Sequence, residues 1–196
     1  ELQARRMSSA APAPARLAPA DRAGKGALAA RGDEAGWKSL LVFAIYRVAL
    51  AIILAAAYAF ANNFFQLGSQ WPGLAIATLV AYVILAILLL VPAMMREPSI
   101  PVQVTAAIFL DVVAIVVLMH TSGGVRSGLG VTLLISLAGA GLITRGRLVF
   151  FHAAVGAIAF LVEQSFQVFR FDAPPADFVQ AGLTSLALFA TAGLGW

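Results

Sequence analysis

Apolar runs, most of them 18 residues or longer, follow one another along this chain of 196 residues. A run of that length with few charges crosses a bilayer as a helix. Without water, each backbone N–H and C=O must find its partner inside the segment. The runs are Leu40–Phe60, Gly73–Met95, Pro101–Met119, Gly128–Ile143, Leu148–Phe169 and a last one from Phe178 that is still apolar at Trp196. The fourth is short, near 25 Å at about 1.5 Å per residue, which suits a slightly thinned bilayer. Charged residues make up 11% of the chain and hydrophobic ones 61%. A soluble domain carries about 25% charged residues and cannot hide this much apolar surface. The expected fold is therefore an all-α polytopic membrane bundle of six helices.

The links between runs hold the helix breakers. Trp71-Pro72 follows a polar link from Asn62, and MREPSIP places two prolines between the second and third spans. Pro101 is acceptable in a first helical turn. TRGR, at Thr144–Arg147, precedes the fifth span, and FDAPPAD, at Phe171–Asp177, precedes the sixth. Positive charge sets the orientation. With a cytoplasmic N-terminus, Arg96 and the Arg145/Arg147 pair lie inside, and only Arg126 and Arg170 lie outside, beside Asp172 and Asp177. Both ends of the membrane region then face the cytoplasm. The resulting domains are a cytoplasmic tail, residues 1–36, and a membrane domain, residues 37–196. The tail is rich in Ala, Pro, Gly and Arg and is expected to be disordered, because it buries too little apolar surface to offset its ordering entropy. The chain opens on Glu, with Met7 an internal candidate start, so it reads as a fragment. The unfinished sixth helix implies that something cytoplasmic follows.

His120–Gly130, HTSGGVRSGLG, is the most polar and glycine-rich break in the second half. Gly123 and Gly124 allow positive φ and hence a tight reversal. Gly128, Thr132, Ser136, Ala140 and Thr144 recur at every fourth position and share one helix face, where another backbone can approach closely. The stretch reads either as a turn that docks its outgoing helix tightly or as a ligand site. Ionisable groups within spans are expensive. Arg47, about two turns into the first span, is expected to snorkel back to the interface. Asp111, near the middle of the third, needs a partner or a proton, and Ser136 or Thr132 could hydrogen-bond a protonated carboxyl. Its role is expected to lie in hydrogen bonding, with asparagine a near-normal substitute. Glu163 and Gln167 share a face, with Gln164 beside them. Asp111 and Glu163 are open to either role, packing or sensing.

No catalytic set emerges. His120 and His152 fall at opposite membrane sides and read as interfacial. There are no cysteines and no HExxH, so neither a metal nor a cofactor is expected. The glycine-rich stretch lacks GxxxxGKS/T and a preceding strand, and no GxSxG elbow is present. The basic residues are spread over loops and tail, which does not imply nucleic acid.

An Asp-containing helix, a TSGG-xxSGLG turn, an AGAG…GR segment and a helix with an EQ pair occur here in order. Asp111, Thr121, Ser122, Gly123, Gly124, Ser127, Gly128, Leu129, Gly130, Gly146, Arg147, Glu163 and Gln164 carry them. In this the region from Trp37 to Trp196 resembles the membrane region of PilS-type sensor histidine kinases, as does Tyr46-Arg47 near its start. The resemblance implies a six-helix bacterial inner-membrane sensor, working as a homodimer and followed by a PAS domain and a kinase core. It implies a PilR-type response regulator as partner, pilin transcription as output, and type IV pilin in the membrane as signal. Arg126, Ser136 and Ala140 join the matched positions as signalling or packing candidates. The H-box, N-box and G-box of a kinase are absent, so no autophosphorylation is expected of this chain itself. The alternative is a small membrane transporter, which would need midplane polar groups facing a cavity.

Overall fold

The computed structural model describes residues 19–144 and 146–194; at 19–31, 33 and 61–65 only the helical backbone is described. The chain is helical in α1 (Pro19–Phe65), α2 (Pro72–Met95), α3 (Ile100–Thr121), α4 (Gly130–Ile143), α5 (Arg147–Phe171) and α6 (Pro175–Leu194). Among the described residues, five helices are long and apolar enough to cross a membrane, α1 contributing its segment Glu34–Phe60. The fourth span is the shorter α4. The chain is thus a multi-pass, all-α membrane protein, as its apolar runs require.

The chain divides at Ala35/Gly36 into two compact units, and the helix bundle is the second of them, Gly36–Trp196. α1 begins at Pro19, inside the tail expected to be disordered; residues 1–18 lie outside the described residues. A shortage of apolar surface argues against a core but not against a helix, and this alanine-rich stretch leads directly into a span. At its other end α1 runs on to Phe65, so the polar link to α2 is shorter than the breakers suggested.

Helix ends follow the local chemistry. Pro72 and Pro101 sit in first turns, where their missing N–H groups cost nothing. Arg96 closes α2 in the left-handed region, its N–H bonded to the Pro92 carbonyl. Gly146, at φ 78° and ψ −142°, turns the chain into α5 in a conformation open essentially to glycine alone. Arg145 beside it lies outside the described residues.

The packing is the reverse of a soluble protein's. Ile53, Leu88, Val113, Leu142, Val162 and Leu186 face outward, whereas Arg47, Gln103, Asp111, His152, Gln164 and Gln167 are buried. Lipid is as apolar as leucine, so burying leucine gains little; polar groups and small residues gain more from helix contact. Ala51, Ala75, Ala140, Ala153 and Ala181 are fully enclosed, letting the backbones approach.

The small-residue stripe on α4 is only partly as expected. Ser136 and Ala140 are fully buried and Thr144 nearly so, but Gly128 lies outside the helix with open space around it. A 3-10 turn at Gly124–Ser127 delays α4, and Gly128 closes that turn at φ 72° with its N–H on the Val125 carbonyl, 3.1 Å away. The close approach belongs to Gly130 instead, where a Cβ would stand 2.8 Å from the Phe160 ring of α5.

Candidate functional site

Three helices place polar side chains at one buried point. Arg47 of α1 meets Asp111 of α3 in a two-pronged pair: Nε donates to Oδ1 at 2.8 Å and Nη2 to Oδ2 at 3.2 Å. The Tyr82 hydroxyl of α2 donates to the same Oδ1 at 2.8 Å. All three residues are at most 2% exposed. Phe43, one turn before Arg47, lays its ring 4.9 Å from the guanidinium carbon. A carboxylate with three donors and a guanidinium with a fitted counter-charge satisfy the conditions under which charges persist away from water.

This overturns two expectations. Arg47 does not snorkel: its side chain is 2% exposed and its guanidinium is held by Asp111 inside the bundle. Asp111 does not bond to Ser136 or Thr132. Ser136 is buried on the expected face, but its hydroxyl has no hydrogen-bond partner there among the described residues. Two opposite charges in separate spans, Arg47 and Asp111, are the signal in the sequence for this pair.

A second cluster lies about 14 Å further along α3, nine residues on from Asp111. His120 Nδ1 stands 3.0 Å from Glu163 Oε1 of α5, and Gln167 Nε2 donates to that oxygen at 2.7 Å. Phe166 and Phe171 flank the imidazole. The shared face of Glu163 and Gln167 is as the spacing required; a histidine at the end of its run reads as interfacial, and His120 instead turns its ring to Glu163. His152, also expected at the interface, is 1% exposed, with Nε2 3.1 Å from the Thr105 hydroxyl. α5 starts at Arg147, so residue 152 is already more than a turn inside.

The turn between α3 and α4 is tied down on every side. Ser122 Oγ accepts from the Gly68 N–H at 2.9 Å and donates to the Leu118 carbonyl. The Thr121 carbonyl accepts from the Gln70 N–H at 2.9 Å, and the Thr121 hydroxyl bonds to Leu118. Ser127 Oγ bonds back to the Gly124 carbonyl. Arg126 reaches the Asp177 carboxylate at the start of α6, 2.8 Å away. Gly123 and Gly124 have φ of 85° and 79°, and a Cβ on Gly124 would also crowd Gln167 and the buried Gln164 amide. The α1–α2, α3–α4 and α5–α6 turns thus gather at one end of the bundle, around a cleft of about 460 Å³. These bonds fit a docking turn, and Ser122, Gly123, Arg126 and Ser127 of the same stretch also line the cleft. The candidate residues therefore separate into three places: Asp111 in the charge cluster, Ser136 and Ala140 on α4, and Thr121 to Gly130 above Glu163 and Gln164.

Burial ranks these contacts. Arg126 is 60% exposed, so Arg126→Gln should change stability by less than about 1 kcal/mol. Glu163→Leu leaves the Gln167 amide and the His120 ring without their acceptor and should cost about 1–3 kcal/mol. Thermal unfolding of the two variants in detergent checks the order; equal losses would mean that the buried cluster contributes no more than the surface pair. Among the described residues no group of three His, Cys, Asp or Glu side chains could hold a metal ion.

A family model described as a PilS-like transmembrane domain matches residues 30–195. Comparison with curated proteins and with solved structures gives no match.

Proposed function

This chain belongs to the family of PilS-like transmembrane domains, and from that premise we propose that it is the sensory membrane module of a sensor histidine kinase. The family match across residues 30–195 carries the reading. In this role the module sits in the bacterial inner membrane as a homodimer, with its N-terminus cytoplasmic, and controls a PilR-type response regulator and pilin transcription. Its signal enters within the bilayer. The turns at Gln66–Trp71, Ser122–Leu129 and Asp172–Pro174 are too short to fold a separate ligand domain. An apolar helix such as that of type IV pilin suits the outward faces, where Ala59, Ala77 and Ala81 are exposed, whereas Ala51 is enclosed and out of reach. A ligand shifts output only by favouring one packing of the bundle over another.

Against the transporter reading, Arg47 and Asp111 satisfy each other, and the cavity touching Arg47 measures about 10 Å³.

The test uses the gene product that carries this module, reconstituted in proteoliposomes with radiolabelled ATP. Autophosphorylation on histidine is expected, altered by co-reconstituted pilin. Absence of phosphorylation would overturn the kinase assignment, and phosphorylation indifferent to pilin would overturn the signal. Orientation has its own check. Reporters fused at Gln66, Gly123 or Pro174 should read as external, and those after Glu97 or Gly146 as cytoplasmic; a cytoplasmic signal at Gly123 would invert the arrangement.

A further inference from the structure

Two apolar grooves run along α1, and only one has a cation at its mouth. The first lies between α1 and α4, lined by Lys38, Val42, Phe43, Ile135, Gly139 and Leu142, and measures about 590 Å³. The second lies between α1 and α2, lined by Ala55, Tyr58, Ile76, Val80 and Ile84, about 460 Å³, with no charged residue. Both volumes fall in the roughly 300–1,000 Å³ range of small-molecule sites.

The α1–α4 groove arises from a length mismatch. α4 has 14 residues, about 21 Å, against a hydrocarbon core of about 30 Å. α1 runs alongside it, and Lys38, one turn into the candidate span Glu34–Phe60, is exposed beside the end of α4. The apolar wall near the end of α4 is open, with Leu142 84% exposed. Gly139 lets the helices close at the floor: a Cβ there would stand 2.9 Å from the Phe43 ring. The groove is therefore a slot with a positive charge at one end and aliphatic walls below it.

We propose that the groove between α1 and α4 binds an anionic phospholipid, its phosphate paired with Lys38 and an acyl chain laid along Val42, Phe43, Ile135 and Leu142. The matching chemistry is charge at the surface and apolar length below it. A transmembrane helix or a second copy of the chain would use the walls but has no need of Lys38. The occupant also reaches the interior: it touches Phe43, whose ring lies on the Arg47 guanidinium. This inference stands apart from the kinase assignment, since it concerns only which lipid the bundle holds.

The test is site-resolved quenching. With Trp37, Trp71 and Trp196 changed to phenylalanine, a single probe is placed in either groove, L142W or I84W. The chain is reconstituted in mixed phosphatidylcholine and phosphatidylglycerol vesicles, with one lipid or the other brominated. At L142W, phosphatidylglycerol should be preferred about five-fold, the preference one lysine near a membrane surface supplies. At I84W no preference is expected. Lys38→Gln should abolish the preference, and Lys38→Arg should retain it, with helicity unchanged in both. Equal quenching by the two lipids at L142W would overturn the site. So would a preference that survives Lys38→Gln, or one that appears equally at I84W. Weak quenching by both lipids at L142W alone would mean that a protein surface covers the groove, which also overturns it.

Discussion

Asp111→Leu is expected to destabilise the bundle by about 3–5 kcal/mol, the usual loss when one partner of a buried ion pair is removed. Arg47 would keep its charge at 2% exposure with only an aromatic face beside it. Asp111→Asn should be nearly as harmful: the shape and one acceptor survive, but the counter-charge does not. Had the carboxyl been a neutral hydrogen-bonding group, as the isolated sequence position implied, asparagine would have been mild; the guanidinium 2.8 Å away reverses that expectation. Arg47→Met should cost as much as Asp111→Leu. Combining them, with Tyr82→Phe to remove the hydroxyl left over, should recover most of the loss, because apolar groups of similar volume replace a buried pair at little net expense. Unfolding of the purified variants in detergent decides it. Wild-type stability for Asp111→Asn, or losses that simply add in the combined variant, would remove the ion pair from the account.

The second large effect is expected on α4. Ala140→Leu inserts a branched side chain where exposure is 0%, and should cost about 1–3 kcal/mol by overpacking. Gly130→Ala should be costly for its size, since the new methyl meets Phe160 ring carbons at 2.8 and 3.0 Å and Thr184 of α6 at 3.3 Å. Phe160 is itself fully enclosed and has nowhere to retreat. Gly128→Ala, two residues earlier, meets nothing within 4 Å and bears only the backbone penalty of φ 72°, about 1–2 kcal/mol. Leu134→Ile, a half-buried volume-conserving swap, should stay below about 1.5 kcal/mol. Thermal shifts in one detergent rank the four. If Ala140→Leu and Leu134→Ile were tolerated alike, the close helix contact would not be what the small residues are for.

The candidate residues differ in how far spacing alone could place them. Glu163 and Gln167 are four apart on one helix, a relation internal to the segment, and they do bond. Gly123 and Gly124 adopt the positive φ that a reversal between two spans demands. Gly128 and Gly130 were both visible as small residues, but which one meets a neighbour depends on where the 3-10 turn lets α4 begin. His120 and His152 sit near the ends of their runs, where a snorkelling or interfacial position is the ordinary expectation, yet both face other helices.

What the sequence determined by itself is everything the bilayer dictates segment by segment. Helices, their number and their order follow from backbone groups that must bond locally when no water is present. The family, too, is legible in the ordered motifs of the second half. What only the tertiary structure decided is which span faces which, and so which charge meets which. Arg47 and Asp111 lie 64 residues apart, and His120 and Glu163 lie 43 apart. No periodicity links them, because a helix rotates about its axis until its polar side chains find partners, and the partner is supplied by another helix. The groove beside Lys38 is of the same kind: it exists because α1 outruns α4, a relation between two helices that neither segment contains alone.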